Sequence, residues 1–373
     1  MNILFVGPYK QLDEWGRKSR ALLGALKRTG NLVTSRPIYF APPSWGYSEE
    51  AEYSSAPEYD ICIQFTLPAF AVYNGSFKKN IGVFNIDTID TSSSSTPISR
   101  MGLLDEVWVE SPRIHKSLSG SAGLSSKISL VKPYLDISLE GEAATGRFPE
   151  GILRSGPFKD KFIFYAIGSM SEQEGAAELL AAYFSEFSAS DNCALVYILE
   201  EHRDAQEVNN LVETCHRRTG AIKPPSEKPL LHIMNPDGPL PVDARLLLHK
   251  EGDCFVHPNY SLNCSCLILE GISAQSTPIV NKNTAAYDLW GESSLWGVES
   301  YEEKCLLNQR SFDDVFTSNE TWVRPTVKSL SEQMREAYTN KFARESKQSK
   351  NESVKEDFQS DEYYQSLKEL LCF

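Results

Sequence analysis

The chain lacks any apolar run of the roughly 20 residues that a helix needs to cross a bilayer. It also lacks an N-terminal stretch with a charged head, an apolar middle and a small-residue cleavage site. The opening Asn2 to Val6 turns polar within a few residues and reads as a first strand. A soluble, cytoplasmic protein with no membrane insertion is therefore expected. The eight cysteines form no framework. Cys62, Cys193, Cys254 and Cys266 fall in apolar runs and read as small core residues. Cys264 and Cys266 are too close for an ordinary zinc clip, and no second Cys/His pair complements them, so no metal is expected. That usage suits a reducing compartment. An excess of basic residues is missing too. The net charge is -13, and it is unevenly spread: residues 1–157 carry 16 basic and 16 acidic side chains, residues 158–373 carry 21 and 34. A generic polyanion binder should be basic. The neutral first half still leaves room for a local basic groove. No period of 20–50 residues repeats.

What is present is a soluble globular composition, 41% apolar and 23% charged. At 373 residues the chain is too long for one ordinary core, which points to two domains. Strand and helix patterns alternate. Strands are expected at residues 2–6, 59–65, 80–87, 105–111 and 128–134, with a helix over 19–30 that stops at Gly30. Helix-length segments run from Thr96 to Leu104 and from Pro112 to Leu118. The polar run 87–97 follows a strand's C-terminal end, where ligands of open parallel sheets sit. A polar stretch from Glu140 to Lys159 reads as a linker, and the alternation then restarts. Strands are expected at 161–169, 194–200, 230–235, 253–258 and 277–281, separated by helices. The tail carries amphipathic helices over 327–348 and 361–371. The expected architecture is α/β: two Rossmann-like, doubly wound parallel-sheet domains facing a cleft, with C-terminal closing helices. The expected bounds are 1–157, 158–345 and a C-terminal helix in 346–373 that packs back toward the first domain. Such a cleft can bring a donor and an acceptor together.

Several stretches, in this order, resemble nucleotide-sugar-dependent glycosyltransferases of the GT-B fold, in the retaining group called family 4, including phage and bacterial members. Asp253-Cys-Phe-Val-His-Pro258, followed by a loop and Leu269-Glu-Gly-Ile-Ser-Ala-Gln-Ser-Thr-Pro-Ile-Val280, is similar to that group's Asp-Cys-Phe-Val-x-Pro and Leu-Glu-Ala-x-Ala-x-Gly-x-Pro-Val-Val. Residues 105–111 and 128–138 resemble the last strands of its first domain, and 166–187 the first strand-loop-helix of its second. Residues 320–338 resemble the C-terminal region of phage and bacterial members.

The resemblance implies a donor site. Glu270 would bind the ribose hydroxyls, since a carboxylate accepts two hydrogen bonds from a vicinal diol. A surface glutamate on an amphipathic helix is the plainer reading of the same position. The small residues Asn263, Cys264, Ser265 and Cys266 would let backbone N–H groups approach a diphosphate, which the helix dipole favours. Gly168 and Ser169, at the end of a strand, would line the same site. The implied donor is a nucleotide-diphosphate sugar, UDP-linked.

The sequence departs from the group in places. Leu262 stands where the group has an earlier Glu that contacts the donor sugar. Residues 168–175 carry no Arg or Lys for the diphosphate, and two acids stand there instead. Lys282, or Gly16, Arg17, Lys18 and Arg20 on the loop and helix after the first strand, could supply the phosphate or acceptor contacts. Gln64 stands where relatives often have a His, and Asp87 ends a strand at a sheet's C-terminal edge. These two are the candidates for the acceptor side, although Asp87 could equally cap the following loop. His257 reads as a structural residue near the donor. No nucleophile–base–acid triad is visible. The implied activity is retaining sugar transfer to a hydroxyl. The cluster Arg17, Lys18, Arg20, Lys27 and Arg28 would suit hydroxymethylated pyrimidine in phage DNA as acceptor. A cell-surface polysaccharide or a small molecule is the alternative, and a non-catalytic nucleotide-binding homologue is a third reading.

Overall fold

A computed structural model describes residues 1–40, 58–88, 96–121, 124, 126–135, 150–200, 202–218, 225–236, 240–305, 320–359 and 361–371. Most of the expected polar loop 87–97 and the first half of the expected linker, 140–149, lie outside the described residues.

The first half contributes β1 (Asn2–Gly7), α1 (Glu14–Arg28), β2 (Leu32–Pro37), β3 (Ile61–Phe65), β4 (Lys79–Val83), α2 (Thr96–Met101), β5 (Glu106–Val109), α3 (Pro112–Ser119) and β6 (Lys127–Leu130). Its strands form one parallel sheet in the order β2-β1-β3-β4-β5-β6. The second half contributes β7 (Phe162–Gly168), α4 (Ala176–Glu186), β8 (Cys193–Leu199), α5 (Ala205–Arg218), β9 (Leu230–Met234), α6 (Val242–Glu251), β10 (Cys254–His257), α7 (Cys266–Ser273), β11 (Ile279–Asn281), α8 (Ala285–Trp290) and β12 (Trp296–Val298). These strands form a second parallel sheet, β12-β11-β10-β7-β8-β9. An antiparallel pair, β13 (Ser300–Lys304) and β14 (Thr321–Pro325), precedes α9 (Val327–Thr339), α10 (Lys341–Gln359) and α11 (Asp361–Leu371).

The expected α/β architecture is observed, and the central strands explain why. β3, β5 and β8 are buried along their whole length, as strands covered by helices on both faces must be. The tail helix expected over 327–348 divides at Asn340, whose side chain accepts from the Ala343 N–H and starts α10. α11 packs on the first sheet's side of the molecule. Tyr363, Tyr364, Leu367 and Leu371 join the core formed by Leu22, Ala25 and Leu26 of α1, and Tyr363 stacks on Tyr134 at 4.5 Å.

Each sheet reverses its winding direction once. In the first sheet β1 lies between β2 and β3, and in the second β7 lies between β8 and β10. Crevices form at such switch points, outside the carboxyl ends of the strands. The chain therefore provides two crevices, one beyond β1 and one beyond β7 and β10.

Candidate functional site

Both crevices open into one polar cleft of about 260 Å³, lined from one side by residues of α1 and the end of β4, and from the other by those after β7, β8 and β10. The turn into α1 is built tightly. Asp13 caps the helix by accepting from the Gly16 N–H at 2.9 Å. A Cβ at position 16 would lie 1.8 Å from the Gln11 carbonyl oxygen, so only glycine fits there. Gly16 thus serves the turn rather than a ligand. Arg20 does the same, with its guanidinium donating to the Tyr9 and Gln11 carbonyls.

The helical spacing i, i+3, i+4 puts Glu14, Arg17 and Lys18 on one face, and Glu14 and Lys18 line the cleft. The Arg17 side chain is 2% exposed and donates to Glu200 at 3.0 Å and to Glu14 at 3.1 Å. Lys18 donates to Asn85 at 2.8 Å and to Glu110 at 2.6 Å. Burial pulls the Lys18 ammonium down, but Glu110 and Glu14 outweigh it and hold its pKa above the ordinary lysine range. Both cations therefore stay charged, Lys18 lining the cleft and Arg17 buried against the cleft carboxylates Glu14 and Glu200.

Opposite them stands the N-terminus of α7. Ser265 is its cap, accepting from the Leu267 N–H at 3.2 Å. The Cys266 N–H donates to one Glu14 oxygen at 2.8 Å, and the Ser265 hydroxyl donates to the other at 3.2 Å. Asn263 is buried and donates to the Ile86 carbonyl at 2.7 Å and to Asp87 at 3.0 Å. Cys264 is buried, and burial pushes its thiol well above the usual range, so it is not a reactive thiolate.

Glu270 has no exposed surface. Its two oxygens accept from Arg245 Nε and Nη2, both at 2.9 Å, and Arg245 also donates to the Leu240 carbonyl at 2.8 Å. Burial pushes this carboxyl up, but Arg245 outweighs burial and holds it well below the usual carboxylate range. His249 Nε2 lies 3.8 Å away, while its Nδ1 meets the Tyr165 hydroxyl at 3.0 Å. The ribose role expected for Glu270 is corrected on this ground: its hydrogen-bonding edge is engaged by Arg245 inside the domain.

Two further expectations change, those for Gln64 and Lys282. Gln64 makes a closed pair with the backbone of Val72, donating to its carbonyl at 2.7 Å and accepting from its N–H at 3.0 Å, so it braces a turn. Lys282 pairs with Glu299 at 2.5 Å and does not line the cleft. Ser169 lines the cleft as expected and Gly168 does not, and the Glu174 carboxylate folds over both and accepts from the Ser169 N–H at 2.6 Å. Asp87 does line the cleft. It accepts from Gln173 at 3.1 Å, from Asn263 and from the Ser261 hydroxyl, so it links the two halves. Leu262, at the position of the absent acid, is fully buried and packs with Phe84 and Ile86 of the first half.

The cleft also contains Glu14 and Glu200, which the sequence reading passed over, together with Glu174, one of the two acids noted in 168–175, and His257, whose Nε2 is orphaned. Glu200 follows β8 directly, and a carboxylate at a strand's C-terminal end was a usable signal. Glu174 is drawn upward to about 8 by burial first and by Glu200 next, against the Ser169 N–H. Burial holds the His257 imidazole down at about 4, so it is neutral at physiological pH. Among the described residues no group of three or more His, Cys, Asp or Glu is placed to hold a metal. No helix among them is long and apolar enough to cross a membrane.

No protein-family model matches the chain, and no curated protein matches it in sequence. Solved structures do match in shape. An Escherichia coli structure described as trehalose-6-phosphate bound with UDP-2-fluoro glucose aligns with a TM-score of 0.66 at 11% identity, over 100% of this chain and 99% of that one. The chain has the GT-B fold. An alpha,alpha-trehalose 6-phosphate synthase from Burkholderia multivorans aligns at 0.65 and 9% identity, over 99% and 96%. A glycosyltransferase from Rickettsia africae aligns at 0.61 and 12%, over 99% and 97%. In GT-B terms, the described cleft is the one between the two Rossmann-like sheets.

Proposed function

We propose that the chain is a retaining glycosyltransferase that moves a sugar from a nucleotide-diphosphate donor, UDP-linked, to a hydroxyl acceptor. The observation that carries this reading is the placement of Lys18, buried and charged on the cleft wall across from the N-terminus of α7, with Arg17 buried beside it against the cleft carboxylates Glu14 and Glu200. In the reaction the bond from the sugar's anomeric carbon to the β-phosphate oxygen breaks. The acceptor oxygen attacks on the same face, and its proton passes to the departing phosphate. Negative charge builds on that phosphate, so prepositioned cations and N–H groups contribute most where it leaves. No protein nucleophile is required. The cations missing from residues 168–175 are supplied on this reading by α1 of the other domain. Asp87 lies on the acceptor side of the cleft.

The acceptor follows from the fate of the basic cluster. Arg17 and Lys18 are buried in ion pairs, Arg20 serves backbone carbonyls, and Arg28 donates to the Tyr134 and Tyr364 hydroxyls. That leaves little of the phosphate-tracking surface a duplex requires. A small hydroxylated acceptor therefore suits the site better than hydroxymethylated DNA. Glu174 and Glu200 in the cleft favour one other reading, a GT-B protein that binds nucleotides without transferring sugar.

The test is mass spectrometry of purified protein with a pool of nucleotide sugars, offered free and phosphorylated hexoses in one arm and hydroxymethylated DNA in another. Lys18→Gln, checked for folding by thermal melting, is the control. Sugar transfer that the control loses supports the proposal and names donor and acceptor. Nucleotide binding with no transfer and no donor hydrolysis would establish the non-catalytic reading, and absence of both would end the donor-site assignment.

A further inference from the structure

We propose that Glu14 is the resting occupant of the cleft's anion seat, and that a nucleoside diphosphate enters by displacing its carboxylate. This rests on the donor-site reading above. The Glu14 carboxylate is held by three different donors: the Cys266 N–H at 2.8 Å, the Ser265 hydroxyl at 3.2 Å and the Arg17 guanidinium at 3.1 Å. A helix N-terminus, a hydroxyl and a guanidinium are the groups that hold a phosphate. Burial pushes the Glu14 carboxyl up, but Arg17, Lys18 and the Cys266 N–H outweigh it and keep it ionised, so it competes as an anion.

The seat is also under-filled. His257 lines the same cleft at 4% exposure, and its Nε2 has no hydrogen-bond partner among the described residues. Arg17 Nε is likewise buried without one. A carboxylate presents two oxygens, whereas a diphosphate presents more and could reach both orphaned groups. The cleft's size agrees. About 260 Å³ is below the roughly 300–1,000 Å³ of small-molecule sites. Glu14 belongs to the first domain and two of its three donors, Ser265 and Cys266, to the second, so its withdrawal removes a cross-link and lets the cleft widen. Arg17 keeps Glu200 as a partner during the exchange.

The alternative is that Glu14 simply ties the domains together and no ligand enters there. Calorimetric titration with UDP and, separately, inorganic pyrophosphate separates the two, using wild type, Glu14→Gln and Glu14→Asp. The aspartate keeps the charge but is one methylene too short to reach Cys266. If Glu14 fills the seat nine-tenths of the time, it weakens apparent affinity by about tenfold. Both variants should then bind UDP about tenfold more tightly than wild type, and the UDP-induced rise in Tm should grow. Equal or weaker binding by both variants, with wild type still binding UDP, would overturn the displacement and leave the donor site standing. If none of the three proteins binds UDP, the donor-site reading falls and this inference with it.

Discussion

Glu174 makes a sharp test of the cleft's electrostatics. Burial and the neighbouring Glu200 carry its carboxyl from an ordinary 4.5 to about 8. In the folded chain it therefore holds a proton that the unfolded chain releases from about pH 4.5 upward. Stability must fall as pH rises through that window and level off above about 8. Each unit of difference is worth about 1.4 kcal/mol, which gives about 2.5 kcal/mol lost between pH 5 and pH 7. The side chain retains some contact with the cleft, so solvent screening trims this to about 1–2.5 kcal/mol. Glu174→Gln removes the titration, and the amide oxygen can still accept from the Ser169 N–H. Urea unfolding of both proteins at pH 5, 6, 7 and 8 measures the difference directly. Other titrating groups cancel in the comparison. The variant's advantage should grow with pH by that amount. A difference that stays flat, or that shrinks as pH rises, would mean that Glu174 is ionised in the folded cleft and that the reasoning fails.

Other perturbations probe the neighbouring contacts. Glu270→Ala leaves Arg245 charged, buried and unpaired, so it should cost about 3–5 kcal/mol by chemical denaturation. The double variant Arg245→Met, Glu270→Leu should recover most of that loss. Arg113→Ala removes a bidentate pair with Asp288, both bonds at 2.8 Å, but the Arg113 side chain is 41% exposed. Its cost should stay within about 1 kcal/mol and shrink further at high salt. Lys282→Ala should leave UDP affinity by calorimetry unchanged, since its ammonium is occupied by Glu299 away from the cleft.

The sequence made the fold readable because βα alternation and fully apolar strands such as Cys193–Leu199 are local patterns, written within a few residues. The site was harder because its decisive relations are not local. Glu270 looks the same in sequence whether it faces a ribose or a guanidinium. What decides is Arg245, 25 residues earlier on α6, and no spacing rule links those positions. Gln64 was misread for a similar reason: its partner is the backbone of Val72, and any residue there would offer the same groups. Arg17 and Lys18 were found as cations but not as buried ones. Their carboxylate partners, Glu200 and Glu110, are 183 and 92 residues away. Glu14 shows the limit best. A glutamate in the first turn of a helix already has a sufficient local explanation in the helix dipole. Only the fold reveals that the same carboxylate reaches the N-terminus of a second helix, 252 residues on, and holds it closed.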